Sequence, residues 1–474
     1  MSALLQLHSS LWIDLKRYLR SPGLLLVALA VPVAAHYMVP DQDASYAVMT
    51  VNGVKPVLTA PVLGLELGVL AATLLTPLAY IFLRAGPTRH QPWQISDVAP
   101  HSRVLSILGR WAADTAALWM LLMVLTLAGL VLGVFRIEGK NNFFQTIIGL
   151  WLPAAPALAL VAAIRLFLDA RNITRRWLGD LTFFIAWIFL TVMGILSAED
   201  PETKLMVSRP FTDVFGFISP IIGSVNYPVT NITIGGATNM GNSISVDAWQ
   251  GITDATYVQA RLFWLAISAG LAMLAGFIWE PMKTRQPKFK KSNLQDVTVA
   301  PRASISDIAF KAPAAVAAGS TNYLAVIISE IRIILKSKAW LICLAVVAIM
   351  GALFSFRTIA GPAILLILIF PLTEASSRWQ AKSTRNLLDT LGTGKIQRTV
   401  LLFIASLSVA ALVLLPACFR MIITGEWQWV AHIGAMIFLA PALIIAAGYF
   451  TRSAVTGRMI MLIIWYIYLS SATF

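Results

Sequence analysis

The stretch "AALWMLLMVLTLAGLVLGVF", residues 116–135, decides the fold class of this chain because it holds no charged residue over 20 positions. A helix needs about 20 mostly apolar residues to cross the hydrocarbon core of a bilayer. Similar runs recur, and only 12% of the 474 residues are charged, against about 25% in a soluble protein. The sequence therefore predicts an all-α polytopic membrane protein.

The apolar runs predict about eleven transmembrane helices. The candidate spans lie near residues 22–39, 61–83, 112–135, 145–168, 179–197, 259–280, 339–356, 360–377, 399–420, 428–450 and 457–473.

The basic residues predict how these spans are oriented. The formal net charge is +14, which in a soluble protein would suggest nucleic acid as a partner. With the N-terminus placed inside, all but eight of the 36 Lys and Arg residues fall in inside segments, as expected for cytoplasmic loops beside anionic lipids. We therefore predict a multi-pass protein of the bacterial cytoplasmic (inner) membrane, with a cytoplasmic N-terminus, a lipid bilayer as its partner and no nucleic acid.

Three segments lie outside the predicted spans. Residues 4–22, "LLQLHSSLWIDLKRYLRSP", have helical apolar spacing with Asp14, Lys16 and Arg17 on the polar side, which predicts a helix in the cytoplasmic interface. Residues 198–258 form a polar, acidic outer segment that could be a small cap. Residues 281–322, basic and then rich in Ala and Ser, read as a cytoplasmic linker.

Short polar motifs that flank the spans recur in the same order in both halves of the chain. The first of four matches pairs "DLKRYLRSP" from Asp14 with "EIRIILKSK" from Glu330, and the second pairs "TPLAYIFLR" with "FPLTEASSR", which aligns Pro77 with Pro371 and Arg84 with Arg378. The third pairs "DVAPHSRVLS" from Asp97 with "DTLGTGKIQR" from Asp389, which aligns Arg103 with Lys395. The fourth pairs "RNITRRW" from Arg171 with "RSAVTGR" from Arg452. Together they predict two parallel six-helix-type repeats, each preceded by an amphipathic elbow helix.

The repeat predicts the domain organisation. We expect a first transmembrane unit at 1–280 with an elbow helix, six spans and the outer segment 198–258. The linker 281–322 leads to a second unit at 323–474, with an elbow helix and five spans visible.

"DTLGTGKIQR", residues 389–398, invites comparison with a phosphate-binding loop. Such a loop needs G-x-x-x-x-G-K-[ST] between a strand and a helix, but Asp389 replaces the first glycine and Ile396 the hydroxyl residue. The spacing therefore excludes a nucleotide site of that kind.

A few ionisable residues within or beside the spans are candidates for a functional role, because a charge inside the membrane is costly. They are Glu66, Asp114, Arg165, Asp169 and Glu374. Because most lie near a predicted interface, we expect them to reach towards water.

The whole pattern resembles the permease subunits of type-2 ABC exporters, on the elbow segments "IDLKRYLRSP" and "SEIRIILKSK" and on the cytoplasmic loops after the second and eighth spans. The resemblance implies a transport subunit that is not itself an enzyme. It moves an apolar or amphipathic substrate, binds no cofactor, and works with a separate cytoplasmic ATPase, expected in two copies, that holds ATP and Mg.

The resemblance also assigns roles to individual residues. It places Asp97, Pro100, Arg103, Asp389, Lys395 and Arg398 in coupling loops that dock the ATPase. It places Asp14, Lys16, Arg17, Glu330 and Arg332 in the elbow helices, and it makes Pro77, Pro371 and Glu374 candidates for gating.

Two other classes of function stay open at this point. Parallel six-span repeats also occur in secondary active transporters. A membrane enzyme or a non-transporting scaffold would instead use the outer segment 198–258 as its active surface or to bind an extracytoplasmic partner.

Overall fold

The structure is a computed structural model that describes part of the chain. The described residues are 3–41, 44, 46–85, 102–175, 177–199, 209–225, 232–238, 243–280, 323–336, 338–378, 395–451, 458, 461, 462, 464 and 465. The chain divides into two compact units, Met1–Lys283 and Thr284–Phe474.

The first unit is mostly helical. Its helices are α1 (Ala3–Leu19), α2 (Pro22–Met38), α3 (Ala60–Thr73), α4 (Leu75–Ala85), α5 (Arg103–Arg136), α6 (Phe143–Ala170), α7 (Trp177–Glu199), α8 (Arg209–Thr212), α9 (Ile218–Ile222), α10 (Ala248–Thr253) and α11 (Ala255–Phe277). Its short strands are β1 (Tyr46–Val51), β2 (Lys55–Pro56), β3 (Ile232–Thr238) and β4 (Ser243–Ile244).

The second unit contains α12 (Tyr323–Ile334), α13 (Lys338–Leu353), a π-helical turn (Phe356–Ala360), α14 (Gly361–Arg378), α15 (Lys395–Thr424) and α16 (Trp427–Thr451). Within this unit α15 packs against α12, α13 and α16, and α14 packs against α13 and α16.

Five of the described helices are long and apolar enough to cross a membrane, namely α5, α6, α11, α15 and α16. The count rises to seven if the pairs α1–α2 and α3–α4, bent by 66° and 47°, are each taken as one span. The apolar parts of α7, α13 and α14 are shorter than that test requires. The described residues thus form a helical polytopic membrane protein.

Helix α3 lies at the centre of the first unit, since every one of its residues except Pro61 is buried. Two glycines let it approach α6 closely: a Cβ added to Gly64 would lie 2.4 Å from the carbonyl oxygen of Thr146, and one added to Gly68 would lie 2.7 Å from that of Leu150. Small residues at such spacing allow two membrane helices to meet backbone to backbone.

The second predicted span is broken between α3 and α4, and Pro77 explains the break. Proline has no N–H, so the carbonyl of Thr73 four residues earlier loses its helical donor. The indole N–H of Trp187 on α7 takes that place, 3.1 Å from the Thr73 oxygen. A side chain from a neighbouring helix therefore supplies the hydrogen bond that the Thr73 carbonyl loses at the 47° bend.

Two small sheets depart from the all-α prediction. Strand β1 pairs antiparallel with β3, and β2 pairs parallel with β4. β-Branched residues favour strands in both "YAVMTV" and "ITIGGAT". The pairing joins segments almost 200 residues apart, which local sequence patterns do not reveal.

Candidate functional site

A buried group of ionisable and phenolic side chains joins five helices of the first unit. We call it the charged cluster. Its members are Tyr18 on α1, Tyr80 and Arg84 on α4, Asp114 on α5, Arg165 and Asp169 on α6, and Asp180 on α7, and each is at most 6% exposed.

Arg165 occupies the middle of the charged cluster. Its Nη1 lies 3.0 Å from Oδ2 of Asp114. Its Nε lies 3.1 Å from Oδ2 of Asp169, at ion-pair distance but not aligned as a hydrogen bond. The second oxygen of Asp114 accepts a hydrogen bond of 2.8 Å from the Tyr18 hydroxyl. The elbow segment is thus linked to α5 and α6 through buried polar contacts.

Arg84 extends the charged cluster to α4 and α7. Its guanidinium pairs with Asp169 through Nη1 and with Asp180 through Nε, the latter at 2.6 Å. The Tyr80 hydroxyl donates to Asp180 at 3.2 Å, and the Tyr80 ring stacks on Phe183 with centroids 3.7 Å apart. Arg84 and Arg165 therefore share the carboxylate of Asp169.

A second layer of contacts surrounds the charged cluster. Arg171 pairs with Glu280 at 3.0 Å, and Arg175 donates to the backbone carbonyls of Asp169 at 2.8 Å and of Glu280 at 2.7 Å. The Arg175 guanidinium also lies 4.9 Å from the centre of the Trp279 ring. The segment after α11 is thereby held against the end of α6.

These contacts lie at one end of the helices. Arg84 is in the last turn of α4, Asp180 is in the first turn of α7, and Asp169 is the penultimate residue of α6. This is the end that the distribution of basic residues predicts to face the cytoplasm, and we call it the inner end.

The charged cluster can hold helix ends in place. A buried ion pair contributes little net stability, but removing one partner leaves an uncompensated buried charge and costs about 3–5 kcal/mol. Among the described residues no group of three or more His, Cys, Asp or Glu side chains is placed to hold a metal ion.

The expectation that the ionisable span residues reach towards water is wrong for four of them. Asp114, Arg165 and Asp169 are buried and paired inside the protein. Glu66 is also buried, at 5% exposure, whereas Glu374 on α14 is exposed. Sequence spacing located most of these residues near the ends of the predicted spans, but it carried no signal that Asp114, Arg165 and Asp169 face one another.

The elbow helix α1 turns a different side to the protein than its sequence suggests. Asp14 is buried, 2.8 Å from Arg17 Nη1 and 3.5 Å from Arg110 Nε on α5. Lys16 is exposed and lies over the Trp12 ring. The exposed apolar residues are Leu4, Leu5, Trp12, Ile13 and Leu19. The acid therefore faces the protein, because Arg110 there neutralises it, and the apolar side is free for lipid.

The second elbow helix, α12, buries only its acid Glu330 and Ile334, while Arg332 is exposed. The side chains of Glu330 and Ile334 thus face the second unit.

The residues predicted to dock an ATPase are described only in part. Asp97, Pro100 and Asp389 lie outside the described residues, and of Lys395 only the backbone, at the start of α15, is described. Arg103 begins α5 and is exposed, whereas Arg398 is buried at 8% exposure. The docking surface stays a prediction.

The residues predicted to gate lie on α4 and α14. Pro77 lies in the first turn of α4, just after the break in the second predicted span, and Pro371 lies inside α14, three residues before Glu374. In the second unit Arg458 Nε donates to the Thr373 hydroxyl at 3.1 Å, beside that proline.

At the end of the helices opposite the inner end, part of the outer segment 198–258 folds against the start of α11 and forms a cap. The carboxylate of Asp213 accepts hydrogen bonds of 2.8–3.1 Å from the backbone N–H groups of residues 216–219. Arg261, fully buried, donates to the carbonyls of Pro210, Asp213 and Val214. No sequence motif around Asp213 indicates this role.

No protein-family model, curated protein or solved structure matches this chain.

Proposed function

We propose that this protein is the transmembrane permease subunit of an ATP-driven exporter, powered by a separate cytoplasmic ATPase. The observation that carries the proposal is that the charged cluster joins the two helices on either side of the connection between α4 and α5. Arg84 lies in the last turn of α4, Asp114 lies eleven residues into α5, and both connect to α6 through Arg165 and Asp169. A push on the loop would therefore reach five helices at once.

The proposed architecture is two parallel units with about eleven transmembrane helices in all. Helix packing within each unit supports it. In the first unit α5 packs against α1, α2 and α6, and α3 packs against α2 and α6. In the second, α15 packs against α12, α13 and α16, and α14 packs against α13 and α16. For these helices, the order and the named partners correspond between the two units.

Two side-chain contacts support the same correspondence. Near the end of α5, Arg136 donates to the backbone carbonyls of His36 and Val39 at the end of α2. On α15, Arg420 donates to the carbonyl of Phe354 just after α13. In both elbow helices the buried residues are an acid and the residue four positions later.

The two units differ in charge at their inner ends. Counted from the matched sequence anchors, the positions of Tyr18, Asp114, Arg165 and Asp169 hold Ile334, Ser406, Ala446 and Phe450 in the second unit. Ile334 and Ser406 are buried, as their counterparts are. The first unit would therefore respond to its loop as a block linked by the charges at these positions, which the second unit does not carry at the same four positions.

In the proposed cycle, the partner ATPase subunits carry out ATP hydrolysis. Two ATPase subunits bind ATP and Mg on the cytoplasmic side of a bacterial inner membrane and close on the two coupling loops. Movement of those loops changes the positions of the inner helix ends, and the broken span α3–α4 and the proline-containing α14 absorb the change. Since few polar groups are present to line a path, the cargo is apolar or amphipathic.

The test is co-purification in mild detergent followed by charge reversal. We expect a stoichiometric ATPase, and we expect Arg103→Glu combined with Lys395→Glu to uncouple ATP hydrolysis from transport. Lys140→Glu, an exposed reversal between α5 and α6, serves as the matched control. An intact complex with full coupled activity in the double variant would refute the docking assignment. Transport that is abolished by a protonophore and indifferent to ATP depletion would refute the exporter.

A further inference from the structure

Glu66 is a buried acid in the middle of α3 that the charged cluster does not include. It is 5% exposed and is surrounded along its helix by Leu63, Leu65, Leu67 and Leu70, all buried. Among the described residues its carboxyl group has no hydrogen-bond or ion-pair partner. An ionised carboxylate in such surroundings is costly, so an ionisable residue inside a span is by default a functional candidate.

The faces of α3 show where this carboxyl group points. Gly64 and Gly68 contact α6, and Leu63 and Leu67 contact Gly133 and Gly129 of α5. Successive residues of a helix are 100° apart, because one turn takes 3.6 residues. Glu66, two residues from each glycine, therefore lies on the side opposite α6 and away from the main α5 contact.

A cation from the segment between α2 and α3 acts on Glu66, but it is engaged elsewhere. Lys55 on β2 contributes an attractive charge to Glu66, but its ammonium group donates to the Asp41 carbonyl at 3.2 Å. Glu66 lies six residues into α3, or about 9 Å along the helix axis from Ala60. The carboxyl group is thus within the outer half of the second predicted span, beneath the outer loops.

We propose that Glu66 binds the positively charged group of a lipophilic organic cation. The idle carboxyl group holds a proton. An arriving cation takes the place of that proton, which leaves to solvent, so the buried carboxylate is never left uncompensated. The buried leucines that flank Glu66 make its surroundings apolar, which suits a cation with a lipophilic body. The transport role of this site rests on the proposed function and narrows its cargo to amphipathic cations; binding itself does not depend on it.

The experiment measures equilibrium binding of tetraphenylphosphonium to the purified full-length protein in detergent. We expect saturable binding that weakens at least about tenfold in Glu66→Gln, because the neutral amide lacks the charge that compensates the ligand. Tetraphenylborate, an anion of the same shape, should bind no more weakly to the variant than to wild type. Glu138→Gln, at an exposed glutamate between α5 and α6, is the matched control and should bind the cation like wild type.

Competition with protons provides a test that needs no variant. Lowering the pH from about 9 to about 5 should weaken tetraphenylphosphonium binding to wild type and leave tetraphenylborate binding unchanged, since protonation neutralises the carboxylate. Equal affinity in wild type and Glu66→Gln, or cation binding independent of pH, would overturn the proposal. A stability change with pH but no cation binding would identify a proton site only and would also overturn it.

Co-purification of an ATPase is measured separately and distinguishes the two proposals. Cation binding that depends on Glu66 in a protein without an ATPase partner refutes the exporter and keeps the site. Conversely, an ATPase partner together with cation binding that does not depend on Glu66 supports the exporter and refutes the cation site.

Discussion

The guanidinium of Arg165 on α6 donates to the carboxylate of Asp114 on α5 across 3.0 Å, and neither side chain is more than 1% exposed. Two opposite charges removed from water depend on each other, because each compensates the desolvation of its partner. This pair joins the third and fourth predicted spans at the inner end, where Tyr18 and Asp169 extend it to the elbow helix and to Arg84.

Removing one charge should cost more than removing both. We expect Arg165→Ala to lower the free energy of unfolding by about 3–5 kcal/mol, because Asp114 would be left buried and uncompensated. Combining it with Asp114→Ser, which reproduces the Ser406 and Ala446 of the second unit, should recover part of that loss. Thermal unfolding in detergent measures both variants.

The control for this prediction is an exposed pair of the same unit. Arg171 and Glu280 are 58% and 38% exposed, so Arg171→Ala should cost at most about 1 kcal/mol. A double variant less stable than Arg165→Ala alone would contradict the role of the pair.

The bend at Pro77 predicts a coupling between two substitutions. Trp187→Phe should cost about 1–3 kcal/mol, because the buried Thr73 carbonyl loses its indole donor. In a Pro77→Ala background the same change should cost less, since residue 77 then supplies a backbone N–H to that carbonyl. A double-mutant cycle on thermal stability measures the difference, and strictly additive effects would argue against the exchange of donors.

The outer cap should depend on a carboxylate at Asp213. Asparagine there has one acceptor oxygen and a donor amide, which cannot accept from the backbone N–H groups of residues 216–219. We expect Asp213→Asn to increase proteolytic cleavage of residues 198–258. Asp247→Asn is the matched control, because Asp247 caps α10 through one bond to Gln250 and asparagine caps equally well. Equal cleavage rates in both variants would exclude the role of Asp213.

Asp254, which caps the exposed start of α11, gives a pH dependence. The Thr256 hydroxyl and then the Tyr257 backbone N–H donate to its carboxylate and lower the pKa of that group below its usual value. A depressed folded pKa stabilises the protein above the unfolded pKa of about 3.9, and that contribution is lost as the pH falls through the folded value. Wild type should therefore be slightly more stable than Asp254→Asn near neutral pH.

The difference in melting temperature between those two proteins should shrink on acidification, because protonation of Asp254 removes the negative charge that distinguishes wild type from the variant. Melting curves measured in parallel at several pH values check this. A difference that grows as the pH falls would contradict the assigned sign.

Much of the fold follows from patterns that are local in sequence. The apolar run at 116–135 predicts a span and lies inside α5, because a helix satisfies its own backbone hydrogen bonds and needs only length and apolar side chains in lipid. The sequence predicts one continuous span over 61–83, and the break between α3 and α4 is found only in the structure, although proline removes a backbone donor at a known position. The helical spacing of α1 also follows from sequence, but the side that faces the protein does not.

The amino-acid sequence by itself determined that this is a helical membrane protein and located most of its long apolar helices. Only the tertiary structure decided that Asp114, Arg165, Asp169, Arg84 and Asp180 form one cluster and that Glu66 stands apart from it. The reason is physical. Burial and pairing of a charge depend on which helix faces lie together, and residues separated by 51 positions, such as Asp114 and Arg165, meet only when those helices pack.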